Sequence, residues 1–238
     1  MSTFILVPGA WLGAWAWAET AEALRELGHD PRPVTLTGLA ERAGEAAPGV
    51  DLDTHIADIL RFAGTAGDLT LVAHSYAAAP VTGAAARLGS QLARVVYVDS
   101  APFAEGMRML DLMPPDAATA LRGQLVDGRL PFPPLDQLSG SVTGLGPRQR
   151  ELLRTSATPH PFGTYEQGLP APVEPGPDVD RVLVACEDFA TMLDAGVPAL
   201  AAVNGPPWRR YDLATGHWPM LSEPGRLAGL LDTAAKST

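Results

Sequence analysis

The chain has 238 residues, 46% of them hydrophobic, with a formal net charge of −10 and one cysteine, Cys186. That apolar content supports a packed core rather than a disordered chain, and a lone cysteine excludes an internal disulfide or a cysteine metal cluster. The basic residues are scattered singly apart from Arg209-Arg210, so the basic stripe of a nucleic-acid binder is absent. No apolar run nears the ~20 residues of a membrane span.

The N-terminal stretch has no basic region and its apolar run stops at Pro8, which does not read as a signal peptide; a cytoplasmic location is expected. Thr3 to Val7 reads as a strand and Pro8 to Trp15 as a glycine-rich turn. Residues 14–27 read as a helix ended by Gly28, and residues 32–36 as a second strand. After a polar loop over 37–49, Asp51 or Asp53 caps a helix running to about Ala63, with Leu52, Ile56, Ile59, Leu60 and Ala63 on its buried side. Residues 69–72 are a short buried strand, 81–87 an alanine-rich helix, and 94–98 another buried strand. This alternation predicts an α/β chain with a mostly parallel sheet flanked by helices.

Alternation stops after Ala101. Residues 102–178 carry prolines too densely for central strands or a long helix, but enough Leu, Met, Phe and Tyr to exclude a linker. They read as a cap insertion, with short helices over 115–125 and 147–155, in a single core domain formed by 1–101 and 179–238. Alternation then resumes with a strand over 182–186 and a helix over 189–203 that Pro198 interrupts. A strand over 208–213 and a helix over 219–235 close the chain.

Chemistry concentrates at the loops that follow the strands. Ala73-His74-Ser75-Tyr76-Ala77 places a serine at a sharp strand-to-helix turn with small residues two before and two after it. Such a turn exposes a nucleophilic Oγ beside a helix N-terminus, although glycines are usual where this chain has Ala73 and Ala77. A serine needs a base and an acid that orients the base. His217 stands in the loop after the last strand, and Glu187-Asp188 follows the strand before it, so Ser75, Asp188 and His217 form the expected triad, with Glu187 and Asp99 as rivals for the acid. The backbone N–H groups of Ala10 and Tyr76 suit an oxyanion hole; Pro8 has no N–H to give, and Gly9 permits close approach. Of the other histidines, His29 reads as a surface turn residue, His55 as a helix residue, His74 as packing support beside the serine, and His160 as a candidate for substrate contact.

The segments Phe4 to Trp17, Val72 to Tyr76, Val95 to Asp99, Thr158 to Phe162 and Gly216 to Pro224 resemble, in order, the plant methylesterase and hydroxynitrile lyase branch of the α/β-hydrolases and its bacterial relatives. The resemblance spans nearly the whole chain, least so over 104–155. It implies the α/β-hydrolase fold and assigns Ser75, Asp188 and His217 as triad and Ala10 and Tyr76 as oxyanion donors. Lyases of that branch carry a threonine where this chain has Gly9 and a lysine where it has Trp218, so the chain resembles the esterases.

The expected protein is a serine esterase without cofactor or metal, acting on a small-to-medium apolar ester; neither nucleic acid nor membrane is a partner, and a homodimer is left open. Two other readings stand beside it: a non-hydrolytic enzyme of secondary metabolism on the same fold, performing elimination, cyclisation or carbon–carbon cleavage, and an inactive binding protein. Sixteen of the seventeen basic residues are arginine, a composition associated with GC-rich bacterial genomes.

Overall fold

The structure is a computed structural model that describes residues 1–138 and 140–236. Its strands are β1 (Thr3–Val7), β2 (Asp30–Pro33), β3 (Leu69–His74), β4 (Leu92–Val98), β5 (Arg129–Leu130), β6 (His160–Pro161), β7 (Asp180–Ala185) and β8 (Trp208–Asp212). Six of them form one parallel sheet in the order β2-β1-β3-β4-β7-β8, while β5 and β6 pair antiparallel apart from it.

The helices are α1 (Ala18–Glu26), α2 (Leu52–Ala63), α3 (Ala78–Ala85), α4 (Pro115–Arg122), α5 (Pro147–Ser156), α6 (Gly163–Glu166), α7 (Glu187–Asp194), α8 (Pro219–Ser222) and α9 (Pro224–Lys236).

Side chains alternate across the sheet and fill a core on each face. Ile5, Leu71, Ala73, Val95 and Leu183 meet α2 and α3, whereas Phe4, Leu6, Val72, Val96 and Val182 meet α1 and α9. Strands covered on both faces need no polar side, which is why they read as unbroken apolar runs. Residues 102–178 contribute to both cores: Phe103, Leu110, Leu130 and Phe162 to the first, Val142, Leu145 and Leu153 to the second.

Several elements differ from their sequence-based expectation: the helix expected over 81–87 spans Ala78–Ala85, and the one expected over 14–27 opens with a 3-10 turn over Ala14–Trp17. The second strand pairs over Asp30–Pro33 rather than 32–36. Pro31 and Pro33 are tolerated because β2 is an edge strand, and Val34 and Leu36 are buried just beyond it. The helix expected over 189–203 ends at Asp194, and Gly196 at φ 65° followed by Pro198 leads into a separate 3-10 turn. The last helix divides at Glu223, because Pro224 has no N–H to continue α8.

Asp51, not Asp53, caps α2: its Oδ1 accepts the Thr54 N–H at 2.9 Å, and Thr54 Oγ1 accepts the Asp51 N–H in return. Asp51→Ala should therefore destabilise the fold by about 1 kcal/mol, read as a drop of about 2–4 °C in Tm, while activity per folded molecule stays unchanged.

Candidate active site

β3 ends at His74, and the backbone turns at Ser75 with φ 54°, a strained value for a residue with a Cβ. A 3-10 turn over Ser75–Ala77 then leads into α3. Ala73 and Ala77 are fully buried at this turn, so the two methyl groups that replace the usual glycines are accommodated. Gly9 is constrained by the same turn: a Cβ there would stand 2.8 Å from His74 Nδ1 and 3.1 Å from Ser75 Cβ.

Ser75 Oγ lies 2.9 Å from His217 Nε2, and His217 Nδ1 lies 2.5 Å from Asp99 Oδ2. A carboxylate can only accept, so His217 carries its proton on Nδ1 and Nε2 is free to accept from the serine. Asp99 ends β4 at φ 48°; its N–H donates to the Val184 carbonyl, and its Oδ1 accepts the Cys186 N–H at 3.1 Å.

The His217 loop is held from outside the sheet as well. The N–H groups of His217 and Gly216 donate to the carbonyls of Ser141 and Thr143 at 3.0 and 3.2 Å. Beneath it, His74 Nε2–H donates to the His217 carbonyl at 2.6 Å.

A cavity of about 140 Å³ beside Ser75 is lined by Gly9, Ala10, Trp11, His74, Leu138, Ser141, His217 and Trp218. No hydrogen bond among the described residues takes up the Ala10 N–H. The Tyr76 N–H opens a helical turn, where amides have no intrahelical acceptor. Both are therefore available to a ligand oxygen.

Residues 4–230 match the model of the alpha/beta hydrolase family. The chain belongs to that family. The hydrolase is 28% identical to a carbendazim hydrolyzing esterase from a Nocardioides species over 96% of its own length and 97% of the relative's. It is 26% identical to a putative chloroplastic methylesterase of Arabidopsis thaliana over half of its own length and 35% of the relative's. Its fold superposes on an extracellular alpha/beta-hydrolase from a Paenibacillus species with a TM-score of 0.80 at 18% identity, each chain fully covered. A methylesterase from Arabidopsis gives 0.77 at 20% identity, also with each chain fully covered. These relatives lie where the resemblance read from the motifs points.

The carboxylate that bonds His217 is that of Asp99, not that of the expected Asp188. Asp188 stands in the first turn of α7, and its carboxylate makes no hydrogen bond among the described residues. α7 begins two residues after β7 ends, and neither Glu187 nor Asp188 in its first turn bonds His217, whose Nδ1 is taken by Asp99. Helix-start carboxylates are explained by the positive end of the helix dipole. Asp188 lines, together with Asp99 and His217, a second cavity of about 230 Å³.

Of the other histidines, His55 lies in a helix and His74 packs beside the serine as expected, whereas His29 and His160 differ from their sequence reading. His29 is not a surface residue: its ring accepts from the Ser2 N–H and donates to Asp232 at 2.9 Å. His160, expected near substrate, is fully buried and accepts the Trp11 N–H. His55 accepts from the Tyr76 hydroxyl at 2.7 Å and donates to the Thr37 carbonyl at 2.9 Å. Among the described residues no group of three or more His, Cys, Asp or Glu is placed to hold a metal, and no helix is long and apolar enough to cross a membrane.

Burial holds three of these rings neutral: His55 is lowered to about 4, His74 to about 3, and His160 well below the ordinary value. The unfolded chain takes up these protons near pH 6.5 while the folded chain refuses them, so stability is lost as pH falls from about 6.5 toward 4. The unfolding free energy from urea titrations should decline through that window, with a slope of up to about 1.4 kcal/mol per pH unit for each histidine; a value constant from pH 7 to 4.5 would contradict their neutrality. Asp99→Asn should lower kcat by about 10⁴, as expected when the base is left in the wrong tautomer. Asp188→Asn should stay within about threefold of wild type, and the reverse ranking would restore Asp188 as the acid.

Proposed function

We propose that the hydrolase cleaves carboxylic esters of small-to-medium apolar substrates through an acyl-enzyme on Ser75. The observation that carries this reading is the hydrogen-bonded line Ser75–His217–Asp99 at a strained strand-to-helix turn. His217 Nε2 takes the Ser75 proton as Oγ attacks the ester carbonyl, and Asp99 stabilises the imidazolium that forms. The Ala10 and Tyr76 amides receive the carbonyl oxygen as it gains charge. His217 then protonates the departing alcohol, and water activated by the same nitrogen releases the acid.

The wall of the cavity supports the substrate class. Trp11, Leu138 and Trp218 give it an apolar lining, and its ~140 Å³ is close to the ~150 Å³ cavity that holds benzene in an engineered protein. Leu138 and Ser141 come from residues 102–178, which act as a cap over the serine. A substrate group of roughly benzene's size fits beneath it. The esterase named among the relatives supports ester rather than lyase chemistry, as does Gly9, where the wall formed by His74 leaves no room for a side chain.

Incubation with a fluorophosphonate should add one adduct to the intact mass of wild type and none to Ser75→Ala. No adduct on folded wild type would overturn the mechanism and return the chain to a non-hydrolytic or binding role. On a p-nitrophenyl ester series, kcat/KM should fall by about tenfold or more from butyrate to octanoate, because added methylenes outgrow the cavity. A profile that rises to octanoate would overturn the size assignment.

A further inference from the structure

We infer that His160 is a positioning residue of the oxyanion hole, holding the Gly9–Leu12 loop so that the Ala10 amide faces the serine; this rests on the ester-hydrolase reading above. The loop is closed by the Leu12 N–H donating to the Gly9 carbonyl at 3.3 Å, with Ala10 and Trp11 at its corner. Trp11 takes φ 65°, a left-handed conformation that a bulky L-residue adopts only when its surroundings impose it.

Three hydrogen bonds impose it. The Trp11 carbonyl accepts the Thr158 N–H at 3.0 Å, and the indole N–H donates to the Leu130 carbonyl at 3.0 Å. The backbone N–H of Trp11 donates to His160 Nδ1 at 3.2 Å. Of the three anchors only His160 supplies a side-chain atom, so only there can a substitution remove the acceptor.

The acceptor requires one tautomer. With Nδ1 accepting, the proton of the neutral ring sits on Nε2, which donates to Thr164 Oγ at 2.9 Å; Thr164 in turn donates to the Pro161 carbonyl at 2.8 Å. The chain of donors runs in one direction, and moving the proton to Nδ1 would put an N–H against the Trp11 N–H. Burial from water, with the His55 ring 5.9 Å away, disfavours the doubly protonated form that would do the same.

The same ring reaches the other arm of the hole. It packs edge-on against Tyr76 at 4.4 Å between centroids. The far end of Tyr76 is tied by its hydroxyl to His55, and Tyr165 stacks on its ring at 5.6 Å. His160 therefore meets Trp11, the neighbour of one oxyanion donor, by a hydrogen bond, and Tyr76, the other donor, by an edge-to-face ring contact. The carbonyl oxygen of the substrate gains its charge between these arms. A loss of register there weakens the transition state while leaving ground-state binding in the cavity nearly intact.

The test compares wild type, His160→Leu, which fills space without an acceptor, and His160→Asn, whose Oδ1 stands where Nδ1 stood. Wild-type turnover and Ser75 labelling are read first, since their absence would sink the ester-hydrolase reading itself rather than this one. For each folded variant, kcat and KM on a short-chain ester are measured. Inhibition by a trifluoromethyl ketone, whose carbonyl takes up Ser75 Oγ and becomes an oxyanion, is compared with inhibition by the matching methyl ketone.

His160→Leu should lower kcat by about 10²-fold with KM within about threefold, and should cut the preference for the trifluoromethyl ketone by a similar factor. His160→Asn should recover at least about tenfold of both. If His160→Leu does not fold, Thr164→Val, which removes the acceptor of Nε2–H, should show the same split at about 3–10-fold. A folded His160→Leu or Thr164→Val with wild-type kcat and inhibitor preference would overturn the inference, as would a loss confined to KM.

Discussion

The imidazole of His217 has to stand between an oxygen that gives up a proton and one that holds the resulting charge, and the chain fixes it from three sides. Asp99 takes its Nδ1–H, His74 takes its carbonyl, and the carbonyls of Ser141 and Thr143 take the amides of its loop. None of these partners is near it in sequence. The ring sits in a side loop of the last strand, yet its tautomer is set by the fourth strand and its backbone by residues 102–178. A hydrogen bond to the carboxylate keeps Nε2 free to accept, which is the condition on which nucleophilic serine chemistry depends.

The serine itself is placed by strain. Ser75 and Asp99 both take positive φ at the carboxyl ends of adjacent strands, the edge along which open α/β sheets gather functional groups. Parallel pairing of β3 with β4, and of β4 with β7, brings those ends into one row, so the sheet's register is also the register of the site. The surrounding cores supply what the strain costs, because both faces of the central strands are filled.

Buried histidines give the site a second character. His55, His74 and His160 each use one nitrogen as donor and, for His55 and His160, the other as acceptor, and each is neutral because water is excluded. A neutral imidazole that both accepts and donates can link backbone groups facing opposite ways, which a charged side chain cannot. His74 lacks the second partner: its Nδ1 is buried without one and faces Gly9.

What the amino-acid sequence determined by itself is local. Unbroken apolar runs gave β1, β3, β4 and β7, an aspartate at 51 or 53 marked the start of α2, and small residues around Ser75 marked the turn, because each depends on neighbours within a few positions. Ser75 and His217 were legible for the same reason, each following a recognisable strand. The acid was not: Asp188 and Asp99 both follow strands, and the choice between them turns on how far the chain runs before the next helix starts and on which strand lies beside the serine. The contact of His160 with Trp11 was equally hidden, since the two lie 149 positions apart. Only the tertiary structure decided these points, because a hydrogen bond is directional and short, and the sequence records which groups exist but not which ones meet.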